Sequence, residues 1–278
     1  MSLVSELKKF YAKEGRRHLP WRKTRDPYKI LVSEVMLQQT QVERVGPYYT
    51  RWMKEFPTAQ ALAKAPLSKV LALWSGLGYN RRAKYLWEAA KILSEAKPSV
   101  VGSRGRVYLS RRQNGFAELP PKLPGVGPYT RAAVETFAFN KPGVFIETNI
   151  RTVYTHFYFK DKQGIADSEL LPLIERDLKK SKMEPRDFYA ALMDYGTHLK
   201  KSGIKINKQS KHYRKQKKFE GSDRKVRGAI LRELLGGPKT LKQLEKALGE
   251  KEKAPRLLTK LVGEGLLKLE RNRYMVAD

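Results

Sequence analysis

The chain has no cysteine, which excludes disulfides and any zinc or iron–sulfur site built on thiolates. It is also poor in acid: 28 Asp and Glu stand against 57 Lys and Arg, a formal net charge of +29. An imbalance of that size calls for a polyanionic partner, with nucleic acid first and an acidic membrane surface as the competing reading. Long apolar runs are missing, and no signal-peptide core follows Met1, so no membrane span is expected and the expectation is a soluble intracellular protein. Period-two alternation is almost absent, which argues against a sheet-based body.

What is present is enough to build a core. Hydrophobic residues make up 41% and aromatics 10% of 278 residues, so a globular chain with one large domain and a small one is expected. Helical spacing covers 2–14, 27–44, 47–54, 58–63, 67–75, 80–95, 128–139, 149–158, 167–180 and 185–201, with Asp26 and Pro27 as a cap and first-turn proline. The fold class is therefore all-α. Residues 99–116 are rich in Arg, Ser and Gly and read as a loop or insertion. Residues 202–221 read as a basic linker, either lying along phosphates through cations such as Lys211 and Arg214 or simply solvated. From 222 to 278 the order is three short helices and a hairpin turning near Arg271 and Asn272, the order of a winged helix.

Two stretches carry chemistry. In LPGVGPYT, Gly125 and Gly127 frame Val126 and permit a tight turn whose amides, with the following helix N-terminus, face an anion such as a duplex phosphate. A plain helix–helix corner is the bland alternative. In ILVSEVMLQQTQV, Glu34 shares a helical stripe with Ile30 and Leu37, where partial burial raises a carboxyl pKa and suits it to donate a proton near neutrality. The run Gln38, Gln39, Thr40 then offers planar amides able to enter a base stack. A solvated helix face is the competing reading for both.

HLPWR, DPY, SEVMLQQTQV, WSGLGY, LPGVGPYT and TNIRTV occur in an order and spacing that resemble the helix-hairpin-helix DNA glycosylases, and SEVMLQQTQV with GLGY resembles the MutY-type adenine glycosylases. The resemblance covers roughly residues 15–200. It implies a glycosylase domain over 1–201, with a helical barrel at about 26–139 and a second helical subdomain from 1–25 and 140–201. It implies double-stranded DNA with a mismatch or lesion as the partner, bound by a monomer in the cytoplasm or on the nucleoid, with the target base flipped out.

By the same resemblance Glu34 is the general acid, and Gln39 and Thr40 lie at the lesion-facing end. The family places an aspartate where this chain has Glu147, a residue that stabilises the oxocarbenium-like sugar as in glycoside hydrolysis or simply caps the next helix. Tyr129 stands where bifunctional relatives of the endonuclease III type carry a lysine. A phenol forms no Schiff base, so monofunctional chemistry is implied; Tyr129 either orients Glu147 or packs in the cleft. Tyr79 with Leu77 matches the intercalating loop, with core packing the alternative chiefly for Leu77. Trp21, Arg22, Asn149 and Asp194 match the adenine pocket, Asp194 replacing a glutamate.

Two family features are missing. Most relatives bind an iron–sulfur cluster through four cysteines just after the helix carrying LMDYG; this chain resembles the clusterless minority, and the only cofactor the resemblance leaves room for is a monovalent cation at the hairpin. The C-terminal domain that reads 8-oxoguanine is replaced by the winged-helix pattern. The expectation is a monofunctional glycosylase removing adenine opposite 8-oxoguanine or guanine. The alternatives are a uracil or thymine mismatch glycosylase and a non-catalytic DNA-binding regulator.

Overall fold

The structure is a computed structural model and describes residues 2–95, 119–204, 206–214 and 219–278. The segment 99–116 and part of the basic linker, Lys215 and Lys217 included, lie outside the described residues. The helices are α1 (Leu3–Glu14), α2 (Pro27–Leu37), α3 (Val42–Glu55), α4 (Ala59–Ala63), α5 (Leu67–Trp74), α6 (Arg81–Glu95), α7 (Pro128–Phe139), α8 (Thr148–Tyr158), α9 (Asp167–Ser181), α10 (Pro185–Lys201), α11 (Asp223–Leu235), α12 (Leu241–Leu248) and α13 (Lys253–Gly263). Two short 3-10 turns, Pro20–Arg22 and Ile206–Gln209, and one hairpin, β1 (Leu267–Glu270) and β2 (Arg273–Val276), complete the described elements.

The chain forms two compact units, Met1–Leu31 with Val126–Lys215 and Val32–Gly125 with Gln216–Asp278. This division differs from the sequence reading, which put 26–139 together and set 222–278 apart. In the structure α7 belongs with α8–α10, and the C-terminal module belongs with α3–α6. The first unit is built on α10, whose Phe188, Tyr189, Leu192 and Leu199 are buried, with α8 and α1 as its principal neighbours. The second has an aromatic centre: Trp52 meets Trp74 edge-on at 5.5 Å and Phe56 at 5.1 Å.

The expected single helix over 27–44 is two helices. Asp26 caps the first as read, its Oδ1 accepting from Tyr28 N at 2.9 Å and Lys29 N at 3.2 Å. That helix stops at Leu37, Gln39 takes φ +55° and a new helix starts at Val42. Tertiary structure causes the break: the guanidinium of Arg82 donates to the carbonyls of Val35, Met36 and Gln38 at 2.9, 3.0 and 2.6 Å. Those acceptors are orphans at any helix end and need a donor when buried.

The C-terminal module has the expected winged-helix order. Glu270 pairs with Arg273, and Arg271 and Asn272 take φ +47° and +60°, the two-residue turn that the twist of a hairpin favours. Backbone bonds between Lys239 and Tyr274 extend the wing. In the first unit, the stretch after α10 is pinned to the residues just before α9 and to α8. Ile165 N donates to Gln209 O at 3.0 Å, Lys211 N to Ile165 O at 2.9 Å, and Thr152 meets the side-chain amide of Asn207 at 2.5 Å.

Candidate active site and nucleic-acid interface

In the second unit, Glu34 lies on α2 and is 7% exposed, so the burial expected from its helical stripe is present. One turn later the surroundings change. Gln38 and Thr40 are half-buried and Gln39 is exposed. The loop that follows α5 faces the same region, and here Tyr79 takes φ +51°. Gln39 and Tyr79 are both among the residues the sequence offered for insertion into the base stack, and both hold a left-handed backbone that costs a non-glycine residue about 1–2 kcal/mol. At Gln39 part of the explanation is ordinary, since left-handed residues often end helices.

Arg82 sets both conformations. Besides the three carbonyls at the end of α2, it donates to Thr40 Oγ1 at 3.2 Å and to Gly78 O at 3.0 Å. One buried guanidinium thus ties the glutamine loop to the Tyr79 loop. Burial pushes Arg82 down to about 10, which leaves it charged at neutral pH. Leu77 is 5% exposed, the burial that its alternative reading as a packing residue expects. Gln38, Gln39, Tyr79 and Gly125 line one cavity of about 480 Å³. The turn at Gly125 requires glycine twice over: φ is +72°, and a Cβ would stand 2.8 Å from that of Tyr85. Val126 is half-buried and Gly127 exposed, the latter capping α7.

In the first unit, Glu147 is the N-cap of α8. Its Oε1 accepts from Asn149 N at 2.8 Å and Ile150 N at 3.0 Å, and Oε2 lies 3.2 Å from Asn149 Nδ2. Capping is therefore its demonstrated contact. Lys200 donates to Asn149 Oδ1 at 2.7 Å; burial pushes its amine below the usual range and the nearby Glu147 opposes that shift. Gly196 on α10 makes the arrangement compact, for a Cβ there would meet Asn149 Cβ at 2.7 Å and its carbonyl carbon at 2.8 Å. Tyr129 is half-buried, its ring edge-on to Phe145, which stacks on Tyr189.

Asp194 is 3% exposed. It holds Arg16 through the backbone N at 2.8 Å and Nε at 2.8 Å, with Arg22 Nη2 at 3.5 Å. The carboxylate read as a pocket residue thereby anchors the segment that presents Trp21, itself buried, and Arg22. Arg22 Nη1 is buried and finds no hydrogen-bond partner among the described residues.

The HhH-GPD superfamily base excision DNA repair protein model matches residues 32–179. An adenine DNA glycosylase from Mycolicibacterium smegmatis is 32% identical over 91% of this chain and 88% of that protein. This chain belongs to the HhH-GPD superfamily. An adenine DNA glycosylase from Buchnera aphidicola subsp. Baizongia pistaciae is 40% identical over 54% of the chain, which spans 39% of that relative's length. Among solved structures, a thermostable thymine-DNA glycosylase matches with a TM-score of 0.51 and 26% identity, covering 69% of this chain and 83% of that one.

Within this HhH-GPD chain the donor set does not fit an iron–sulfur cluster, because there is no thiol anywhere in the sequence. Lys211 and Arg214 are exposed, as a role on phosphates requires. Sequence reasoning missed Arg82, Lys200 and the close approach at Gly196. A signal existed for Arg82 alone. It sits on the apolar stripe of α6 with Leu86, Ala89 and Leu93, and a cation on such a stripe needs acceptors nearby.

Proposed function

We propose that the chain is a monofunctional DNA glycosylase that hydrolyses the N-glycosidic bond of adenine mispaired with 8-oxoguanine or guanine in duplex DNA. The observation that carries this is the burial of Glu34 one turn ahead of the exposed glutamine loop, in a chain whose relatives include adenine glycosylases. In this reading Glu34 protonates a ring nitrogen of adenine, the bond from C1′ to the base breaks with its electron pair leaving on the base, and water adds to C1′ and gives up a proton. Glu147 is held at a helix N-terminus by two backbone donors and presents an anion to the positive charge that grows on the sugar. No redox cofactor takes part.

The test is single-turnover release of adenine from duplexes in which it faces 8-oxoguanine, guanine or cytosine, beside thymine and uracil opposite guanine. Release of adenine opposite the two guanines is expected; release of thymine or uracil alone would replace this reading with the mismatch activity. The product strand should be intact until treated with alkali. Tyr129 supplies no amine, and the Lys200 amine is held on Asn149. An abundant adduct trapped by borohydride would overturn the monofunctional assignment and point to Lys200.

Gly196→Ala tests the geometry of the Glu147–Asn149 pair. The added methyl must displace the backbone of α8 or α10, with a loss of about 1–3 kcal/mol of stability. A shift near 1 Å at Asn149 should also lower the excision rate up to about a hundredfold. Urea unfolding and the single-turnover rate check the two effects separately. A variant with normal rate would show that the pose of Asn149 is irrelevant to the chemistry.

A further inference from the structure

Of the basic residues in the last turn of α10, His198 and Lys201 are exposed, whereas Lys200 is half-buried. A lysine serving only the helix dipole has no reason to leave water, because desolvating its charge is costly. Its amine instead donates to Asn149 Oδ1 at 2.7 Å. Gly196, one turn earlier on the same face of α10, sets this reach. A side chain at Gly196 would strike Asn149, so the glycine lets α8 close on α10 and brings Oδ1 within range of the lysine.

An asparagine side chain has two unlike ends, an acceptor oxygen and a donor nitrogen, while lysine has donors only. The bond from Lys200 to Oδ1 therefore decides that the nitrogen end faces Glu147, where Nδ2 lies 3.2 Å from Oε2. Turned the other way, the amide would set Oδ1 against Oε2 and push the carboxylate aside. Asn149 holds Glu147 twice, since its backbone N donates to Oε1 at 2.8 Å, and Ile150 N adds a third donor at 3.0 Å. A carboxylate offers about four acceptor sites. With two taken on Oε1 and one on Oε2 among the described residues, the remaining one belongs to the oxygen whose orientation depends on the amide.

We propose that Lys200 is a positioning residue for base excision, acting through Asn149 to fix Glu147 Oε2 in the pose that meets the positive charge growing on the sugar. The proposal rests on the glycosylase reading above and adds to it a residue outside the 32–179 match. The interposed amide has a second effect. A lysine bonded directly to the carboxylate would neutralise it and set a cation against the oxocarbenium-like sugar. One amide further away, the same cation supports the pose with less of that repulsion.

The experiment measures single-turnover adenine release at saturating enzyme for Lys200→Met, which keeps the stem and loses the donor, and Lys200→Gln, which keeps a shorter N–H donor. Each is made in the wild-type and Asn149→Ala backgrounds. Lys200→Met should fall about tenfold to a hundredfold, the cost of a misplacement near 1 Å, and Lys200→Gln should fall less. On the Asn149→Ala background neither should cause a further loss, the signature of residues that act as one unit. In parallel, NMR of isotope-labelled asparagine reads the pose without turnover: the Asn149 side-chain N–H groups should exchange with solvent faster in Lys200→Met than in wild type, at an unchanged urea unfolding midpoint. A Lys200→Met rate within about threefold of wild type would overturn the proposal, and so would unchanged exchange. A loss that persists in full without the Asn149 side chain would overturn it too and assign the amine to a DNA phosphate. If wild type released no adenine from any duplex, the glycosylase reading itself would fail and the role in excision with it, a result distinct from an active wild type beside an unaffected variant.

Discussion

Glu34→Gln is expected to lower adenine release by about a hundredfold to ten-thousandfold, the usual contribution of a general acid, with duplex affinity nearly unchanged. The amide matches the carboxyl group in shape but has no proton to deliver to the leaving base. Glu34 is 7% exposed, and a neutral amide in so dry a position carries less desolvation penalty than a carboxylate, so the variant should fold at least as well as wild type. Single-turnover rates with saturating enzyme isolate the chemical step from binding, and fluorescence anisotropy with a labelled mismatch duplex follows affinity. A variant that releases adenine within about threefold of wild type would remove Glu34 from the chemistry, because the loss of a positioned acid is worth far more than that.

Arg82→Ala should be the most damaging change among those that touch no reacting atom. The side chain serves the carbonyls of Val35, Met36, Gln38 and Gly78 and the hydroxyl of Thr40. Each buried acceptor left without a donor costs about 1–3 kcal/mol, and water entering the vacated space would satisfy some of them, so a net loss of roughly 3–5 kcal/mol is expected, as when a partner is removed from a buried ionic site. Urea unfolding measures it. Adenine release should fall as well, since Gln39 and Tyr79 would lose the group that holds their two loops. Arg82→Lys should recover little: an ammonium has three donors and no fork with which to reach both loops. If Arg82→Lys restored both stability and rate, a point charge would suffice and the bridging geometry would be incidental.

The parts of the fold that were legible in the sequence are those with local causes. Gly127 and Pro128 mark the start of α7, the module hairpin turns at Arg271 and Asn272 as read, and α10 spans 185–201 in both accounts. Each depends on residues within a few positions of the feature. The break after Leu37 was not legible, because apolar spacing continues through Val42 and Val45 and the helix ends on a guanidinium more than forty residues away. Leu77 was undecided for a related reason: an apolar residue on a glycine-flanked turn suits a wedge or a core equally, and its burial, at 5% exposure, is visible only in the packing. The grouping of the C-terminal module with α3–α6 has no sequence signal at all. The residues that match the family's motifs were found by type and order. Their supports, Gly196 behind Asn149 and Lys200 beside it, are visible only once α8 and α10 pack together.

The stretch pinned at Ile165, Asn207 and Gln209 has a consequence for where such a protein can work. Its fastening consists of amide and hydroxyl groups, whose hydrogen bonds involve no redox change and no metal. A clasp made of iron and sulfide can be dismantled by peroxide or left unbuilt when iron is scarce; this one is assembled by the ribosome and the fold alone. A segment fastened in this way keeps its contacts whether its surroundings are oxidising or reducing.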